Sequence, residues 1–447
     1  MTKKLVAVAM SGGIDSSVAA VKLKLEGFDV IGLTMKLWDV SEISGEGKHV
    51  GAHCCSLEMF DDARSVCFKY DIPHYVLNMH EDFNRIVIED FISEYVKGHT
   101  PNPCVVCNYK IKWELLEHKT RQLGCDYLAT GHYARIHRDE ANGRYHILKG
   151  VDETRDQSYF LWGLKQESLA RTLFPLGELH KSEVRQLGRE YGLRNAEREE
   201  SREICFVPDD DYARLVLMRH PELARPGVIR DTAGNAVGTH DGYFHYTIGQ
   251  RKKIQIATTE KRYVTRIVPE KNEIVVGSDD DLLTDTFQVT DVNWVAIDPT
   301  TNPPQAAGHP ETQNPQAQSS RGQEPLPARS SKRDCRQERV PDGAVNPPQA
   351  AGHPADQPIP AMIKIRYLHK PVTGELRLLP NGEVNVLLSQ NQRAVTPGQS
   401  CVFYDESALG RGDSLSFMIF VRSNLMVLLF LSHIPNSLPP DLVLEWQ

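Results

Sequence analysis

The chain has 447 residues, 40% hydrophobic and 25% charged, with a formal net charge of −8; this is the make-up of a soluble globular protein with room for roughly two to four domains. The negative balance argues against a purely electrostatic nucleic-acid binder, though it says nothing of local basic patches. Nine cysteines are too few for a disulfide scaffold, and the opening MTKKLVAVAMSGG has only a short apolar run without a cleavage motif, so a reducing cytosol, thiol cysteines and no membrane anchor are expected.

The first ~200 residues alternate strand and helix patterns, which predicts a parallel α/β sheet. Lys4 to Met10 predicts a buried strand ending in Ser-Gly-Gly, and Asp15 to Glu26 a helix stopped by Gly27. Strands follow at Phe28–Leu37, His74–Leu77 and Tyr127–Thr130, and helices at Leu57–Tyr70, Phe83–Val96, Asn108–Gln122 and His180–Tyr191, the last closed by Gly192. Beyond about residue 212 the texture becomes β-rich: GYFHYTIGQ, KRYVTRIV and NEIVVG predict a small β-domain over 213–280. Phe287–Ile297 and Met362–Tyr404, with turns at Thr373-Gly374 and Asn381-Gly382, predict a second β-domain over 284–412. That domain is interrupted at about 298–358 by a Pro-, Gln- and Asn-rich stretch carrying NPPQAAGHP twice, which reads as a solvated insertion. The tail, 413–447, is atypically apolar, but its uninterrupted runs fall short of the ~20 residues of a membrane helix.

Three motifs carry chemistry. Ser11-Gly12-Gly13-Ile14-Asp15-Ser16-Ser17 sits between a strand and a helix. Glycines there allow close backbone approach, the helix start offers free N–H groups to an anion, and Asp15 is placed to hold magnesium. The bland reading is a capped helix after a tight turn; the nucleotide reading is favoured. It lacks the Gly-Lys-Ser/Thr ending of kinase P-loops and resembles the PP-loop of ATP pyrophosphatases. The second motif, Cys104-Val-Val-Cys107 after Thr100-Pro101-Asn102-Pro103, has three readings: half a zinc site completed by His53, Cys54 and Cys55, a redox pair, or a reactive thiol near a helix start, which acidifies it. The third, Cys205 in SREICFV, is by itself an ordinary core cysteine, with Arg198 and Arg202 offset by Glu199, Glu200 and Glu203. Thr130-Gly131-His132-Tyr133 follows a strand, where α/β folds place ligands.

SGGIDSS, CCSLEMFDDAR, GHTPNPCVVCN, TGHYA, DQSYFLWGL, EICFV, YTIGQR, KIRYLHKP and TPGQSCVFY occur in this order. With them the chain resembles the tRNA-specific 2-thiouridylase (MnmA/TrmU) family from about Lys3 to Gly410. The resemblance implies a PP-loop (adenine nucleotide alpha hydrolase-like) domain over 1–212, a small central β-domain and a C-terminal β-barrel. It implies ATP with Mg2+ against Ala9, Met10, Ser11, Gly12, Gly13, Ile14, Asp15, Ser16, Met35 and Gly131. It makes Cys107 the nucleophile and Cys205 the carrier of sulfur delivered as a persulfide by a cysteine desulfurase or relay protein, the two ending as a disulfide. Asn102, Pro103 and Cys104 would approach the target base, and His132, Arg155, Asp156, Gln157, Arg366, Tyr367 and Gln399 would contact tRNA. The implied activity is ATP-dependent 2-thiolation of the wobble uridine; alternatives are another PP-loop adenylating enzyme or a tRNA-binding relative with impaired activity. The chain departs from the family in carrying Cys104 where some members have Asp, in Arg251-Lys252-Lys253-Ile254 for Arg-Lys-Gly-Leu, and in its ending after Gly410.

Overall fold

The computed structural model describes residues 3–38, 57–140, 142–198, 204–207, 210–296, 358–404 and 415–416. The insertion proper, most of the apolar tail and His53, Cys54 and Cys55 lie outside the described residues. Leu5–Ala9 (β1) is an apolar run with every residue after the first buried, as a strand covered on both faces requires. It pairs in parallel with Asp29–Lys36 (β2) on one side and Tyr127–Ala129 (β4) on the other. His74–Asn78 (β3) and Thr172–Leu173 (β7) complete a sheet of order β3-β2-β1-β4-β7. The winding reverses between β1 and β4, so the ligand-binding switch point of the sheet falls where both SGGIDSS and TGHYA emerge.

Ile14–Leu25 (α1) is buried along most of its length, Ser16 and Ser17 included. It packs against Lys181–Glu190 (α5), and a Cβ on Gly188 of α5 would lie 2.5 Å from Ile14 Cδ1. Helix α5 starts with a capping box between His180 and Glu183 and stops at Gly192, whose φ of +59° suits glycine. Leu57–Lys69 (α2), residues 80–96 (α3) and residues 103–122 (α4) supply the other long helices. A hairpin of Ala134–Arg138 (β5) and Tyr145–Lys149 (β6) extends the domain. Two residues of the tail, Leu415–Ser416 (β17), pair with Leu148 and Ile147 of β6.

After Tyr212–Arg219 (α6) come two further sheets. One has the order β10-β11-β8-β9 from Gly227–Asp231 (β8), Ala236–His240 (β9), Tyr263–Val268 (β10) and Glu273–Gly277 (β11). The other is antiparallel, order β12-β15-β14-β13-β16, from Leu283–Val289 (β12), Ile359–Lys364 (β13), Val372–Leu378 (β14), Val384–Arg393 (β15) and Val402–Tyr404 (β16).

Several expectations are corrected. Helix α4 begins at Pro103, five residues before Asn108, because proline at the first helical position is preset for the helix and gives up only an amide that has no partner there. Helix α3 likewise starts at His80. Thr373-Gly374 lies inside β14: a Cβ on Gly374 would sit 2.5 Å from the Leu387 carbonyl oxygen, so the glycine marks close strand packing and not a turn. GYFHYTIGQ is a 3-10 turn at Tyr243–His245 followed by irregular chain. Of the β-rich stretch read at Phe287–Ile297, β12 takes Phe287 to Val289, and Ile297 lies outside the described residues.

Candidate active site

The phosphate loop is built by its own hydroxyls. Ser16 Oγ accepts from the Ser11 amide at 3.2 Å and donates to the Gly13 carbonyl at 3.1 Å. Ser17 Oγ donates to the same carbonyl at 2.9 Å. Asn195 donates to the Gly12 carbonyl at 2.7 Å and to Ser17 Oγ at 3.1 Å, fixing the loop from a distant segment. Gly12 has φ +79°, and a Cβ there would meet the Met59 carbonyl at 2.1 Å. Gly13, the N-cap of α1, has no side-chain cap, so the first amides of the helix face outward toward an anion. The buried Met10 and Ile14 turn their side chains into the core, Met10 Sδ accepting from Cys67 Sγ at 3.2 Å. Both can serve a ligand only through backbone, as can the buried Ala9. Met35 is half-buried near the carboxyl end of β2. Gly131 closes the cradle: a Cβ there would lie 2.8 Å from both the Asp15 carbonyl carbon and the Ser16 amide. Glycine at these places and an uncapped helix start fit a polyphosphate.

Asp15 has two partners, Tyr133 of the Thr130–Tyr133 motif and Lys181, which the sequence reading missed. Lys181 Nζ donates to Asp15 Oδ1 at 2.7 Å, and the Tyr133 hydroxyl donates to the same oxygen at 2.8 Å. Lys181 is buried, its ammonium 5.7 Å from the Tyr133 ring centroid, and its backbone amide donates to Asp152 at 2.9 Å. The position of Lys181 as first residue of a capped helix was a usable signal; its partner, 166 residues away, was not.

The cysteine helix carries an unusual ladder. After Pro103–Val106 it becomes π-helical over Cys107–Leu116 and returns to α at Glu117. Such segments cluster at functional sites. Asn108 is buried and donates to the Phe160 carbonyl at 3.1 Å while accepting from Lys112 at 2.8 Å. Trp113 donates to Thr172 at 2.8 Å, tying α4 to β7. Cys104 is exposed in the first turn, and Cys107 half-buried one turn later. The field of the helix end fades within a turn, so it acts on Cys104 more than on Cys107. Cys107, Cys205 and Ile204 pack on one apolar cluster with Phe83, Phe91 and Phe206. That cluster includes Leu37, Trp38 and Met79, which directly follow β2 and β3, and extends to Ile229, Val264 and Ile274 of the β8–β11 sheet. Among the described residues no group of three or more metal-ligating side chains gathers.

The residues expected to face tRNA divide. Asn102 is half-buried at the N-cap of α4, beside the buried Pro103. Half-buried His132 shares a 2.7 Å hydrogen bond with Thr130 and lies near Trp113 and Phe174; burial, with the Lys112 charge, holds its pKa well below the ordinary value. Asp156 is buried, accepting from the Gly150 and Ser158 amides and the Ser158 hydroxyl. Gln157 accepts from the Tyr133 amide at 3.0 Å, and Arg155 is half-buried beside it. Tyr367 is stacked at a tilt on Phe160, centroids 4.5 Å apart, and Arg366 donates to the Arg393 carbonyl at 3.3 Å. Gln399 donates to the Thr100 carbonyl at 2.8 Å, so its amide holds the segment leading into the cysteines.

Known proteins bear on this geometry. Residues 4–209 match the tRNA methyl transferase HUP domain family, 216–278 the tRNA methyl transferase PRC-barrel domain and 344–412 the aminomethyltransferase beta-barrel domain. The chain is 43% identical over 411 residues to the tRNA-specific 2-thiouridylase MnmA of Geotalea uraniireducens (strain Rf4), covering 92% of this chain and 94% of that protein. It is 42% identical over 420 residues to the protein of the same name from Salinibacter ruber (strain DSM 13855 / M31), with the same two coverages. A solved 4-thiouridine synthetase–RNA complex with bound ATP matches 48% of this chain and 50% of its own, at 15% identity and a TM-score of 0.28, too slight a likeness to bear on function. At over 40% identity along nearly the whole length of such relatives, the chain belongs to the tRNA-specific 2-thiouridylase (MnmA) family.

Proposed function

We propose that this protein is a tRNA-uridine 2-sulfurtransferase that uses ATP to replace the C2 oxygen of the wobble uridine, position 34, with sulfur. The observation that supports the reading is an uncapped, glycine-cradled phosphate loop after β1 together with two cysteines, Cys107 and Cys205, that pack on one apolar cluster with Leu37 and Trp38 from the end of β2. Methyl transfer, the activity in the family models' descriptions, would need no pyrophosphate cradle. Another adenylating ligase would need no second cysteine.

A uridine C2 carbonyl has no leaving group, and ATP with Mg2+ supplies one as an adenylyl group on that oxygen, with pyrophosphate released. Ser11, Gly12, Gly13 and the first amides of α1 hold the phosphates. Ile14 and Ser16 keep the helix start in place from the core side. Asp15, oriented by Lys181 and Tyr133, would hold Mg2+. Met35 and Gly131 border the rest of the nucleotide. The uridine is turned out of its stack toward Asn102, Pro103 and Cys104. Cys205 carries the persulfide received from a cysteine desulfurase or relay protein. The terminal persulfide sulfur attacks C2, and AMP leaves with the former oxygen. The Cys107 thiolate then attacks Cys205 Sγ; the bond from that sulfur to the one on C2 breaks, and 2-thiouridine departs with the electron pair. The cysteines finish as a disulfide that an external dithiol reduces.

Purified protein, ATP, uridine-34 tRNA and a persulfide donor should give 2-thiouridine by nucleoside mass spectrometry, with one AMP per sulfur inserted. AMP release that ignores tRNA, or thiolation without ATP, would overturn the reading.

A further inference from the structure

The irregular loop between β9 and β10 is strongly cationic. Gln250 to Arg262 holds five cations, Arg251, Lys252, Lys253, Lys261 and Arg262, against one acid, Glu260, in a chain whose formal charge is −8. Glu260 is taken by Arg262 at 2.6 Å. Arg251, Lys252 and Lys253 are exposed, and none makes an ion pair among the described residues. Lys253 has φ +65°, a left-handed conformation that costs a side-chain-bearing residue free energy and that glycine adopts without penalty. The loop therefore spends stability to display a third adjacent cation.

The base of the loop is fixed. Gly249 donates to the Val264 carbonyl at 2.7 Å, Val264 to the Gln250 carbonyl at 2.9 Å, and the Gln250 side chain bonds the Thr247 amide and the Lys252 carbonyl. Gln250, Arg251 and Lys252 line an open cavity of about 550 Å³. The same base reaches the cysteine helix: Thr100 Oγ1 donates to Thr247 Oγ1 at 3.3 Å, two residues before Asn102. A polyanion whose reactive base enters at Asn102–Cys104 thus has a rigid cationic loop anchored beside its point of entry.

We infer that Arg251, Lys252 and Lys253 form a backbone clamp that binds tRNA phosphates flanking the target uridine. This rests on the proposal that tRNA is the substrate. The contact is with phosphate and is independent of base sequence; it sets affinity and register, while Asn102–Cys104 meet the base. The left-handed Lys253 makes the clamp separable from folding, because replacing it by glycine relieves the backbone and removes the charge.

The test is tRNA binding by wild type, Lys253→Gly and the double variant Arg251→Ala/Lys252→Ala, measured across a salt series, with melting temperature and tRNA-independent binding of an ATP analogue alongside. Lys253→Gly should melt no lower than wild type, bind the ATP analogue equally, bind tRNA several-fold more weakly at low salt, and lose about one unit of log–log salt slope. The double variant should lose about two. Unchanged affinity and slope in both variants, with wild type binding tRNA, would overturn the clamp alone and leave the loop's charge to a protein partner. Absence of tRNA binding by wild type would instead overturn the substrate assignment, and the clamp with it.

Discussion

Lys181 Nζ and Asp15 Oδ1 stand 2.7 Å apart at the mouth of the phosphate loop, although the two residues are 166 positions apart in sequence. The lysine side chain is almost wholly enclosed, so its charge is held in place for the loop. Lys181→Met should cut tRNA-dependent pyrophosphate release by ten-fold or more and leave tRNA affinity within two-fold. Asp15→Ala should abolish pyrophosphate release with the same retention of tRNA. Weak tRNA binding in a folded variant with intact ATP turnover would contradict the assignment of this end to ATP.

Gly131→Ala tests the cradle from its other side. The added methyl would press on the backbone of Asp15 and Ser16 at 2.8 Å, and backbone cannot swing away as a flexible side chain can. The affinity for a non-hydrolysable ATP analogue, read by calorimetry, should fall at least ten-fold. Gly12→Ala, with its positive φ and the Met59 carbonyl in the way, should also destabilise the fold, by about 1–3 kcal/mol. Normal nucleotide affinity in Gly131→Ala would move the adenylate elsewhere.

The cysteines separate by step. With labelled persulfide in a single turnover, Cys205→Ser should accept no sulfur, and Cys107→Ser should carry label on Cys205 without forming 2-thiouridine. Cys104→Ser should keep substantial activity. The helix end acts more on Cys104 than on Cys107, so electrostatics alone would choose the other thiol; an inactive Cys104→Ser beside an active Cys107→Ser would mean that it does.

Stability should fall on the acid side before carboxylates titrate. Burial holds His74, His132, His240, His245 and His369 below the ordinary value of 6.5. Each binds a proton more readily unfolded than folded, so stability rises with pH through their range and declines as pH drops below about 6.5. For Glu94, burial works upward, but hydrogen bonds from His99 and Lys97 outweigh it and hold the pKa down, so its contribution is lost only at lower pH. The melting temperature should decrease steadily from pH 7.5 to 5.5. A flat profile there would mean that these rings are hydrated.

Local chemistry was legible and distant pairing was not. SGGIDSS announced its turn and helix because glycine, hydroxyls and an apolar run lie within one segment. The same rule failed at Thr373-Gly374, where glycine serves a neighbouring strand that no local pattern reveals. Proline at 103 was a fair sign of an earlier start to α4, overlooked because Pro-Asn-Pro also reads as loop. The partners of Lys181 and Asn195 could not be found from sequence, since each acts on the loop across more than 160 residues of chain. Gln399, expected at the RNA, spends its amide on Thr100. Gln399→Ala should cost about 1 kcal/mol of stability and slow thiolation several-fold with ATP affinity unchanged; a tRNA affinity defect without a change in melting temperature would restore it to the RNA.

Thr100 also has a consequence for biogenesis. Its carbonyl is bonded by Gln399 and its amide donates to the Pro397 carbonyl, whereas the phosphate loop is complete once Asn195 and Lys181 exist. At about 5–20 residues per second, the ribosome makes residue 399 roughly 15–60 s after residue 100. A nascent or prematurely terminated chain can therefore close its nucleotide cradle while the lead-in to its cysteines still lacks its two backbone anchors from residues 397 and 399.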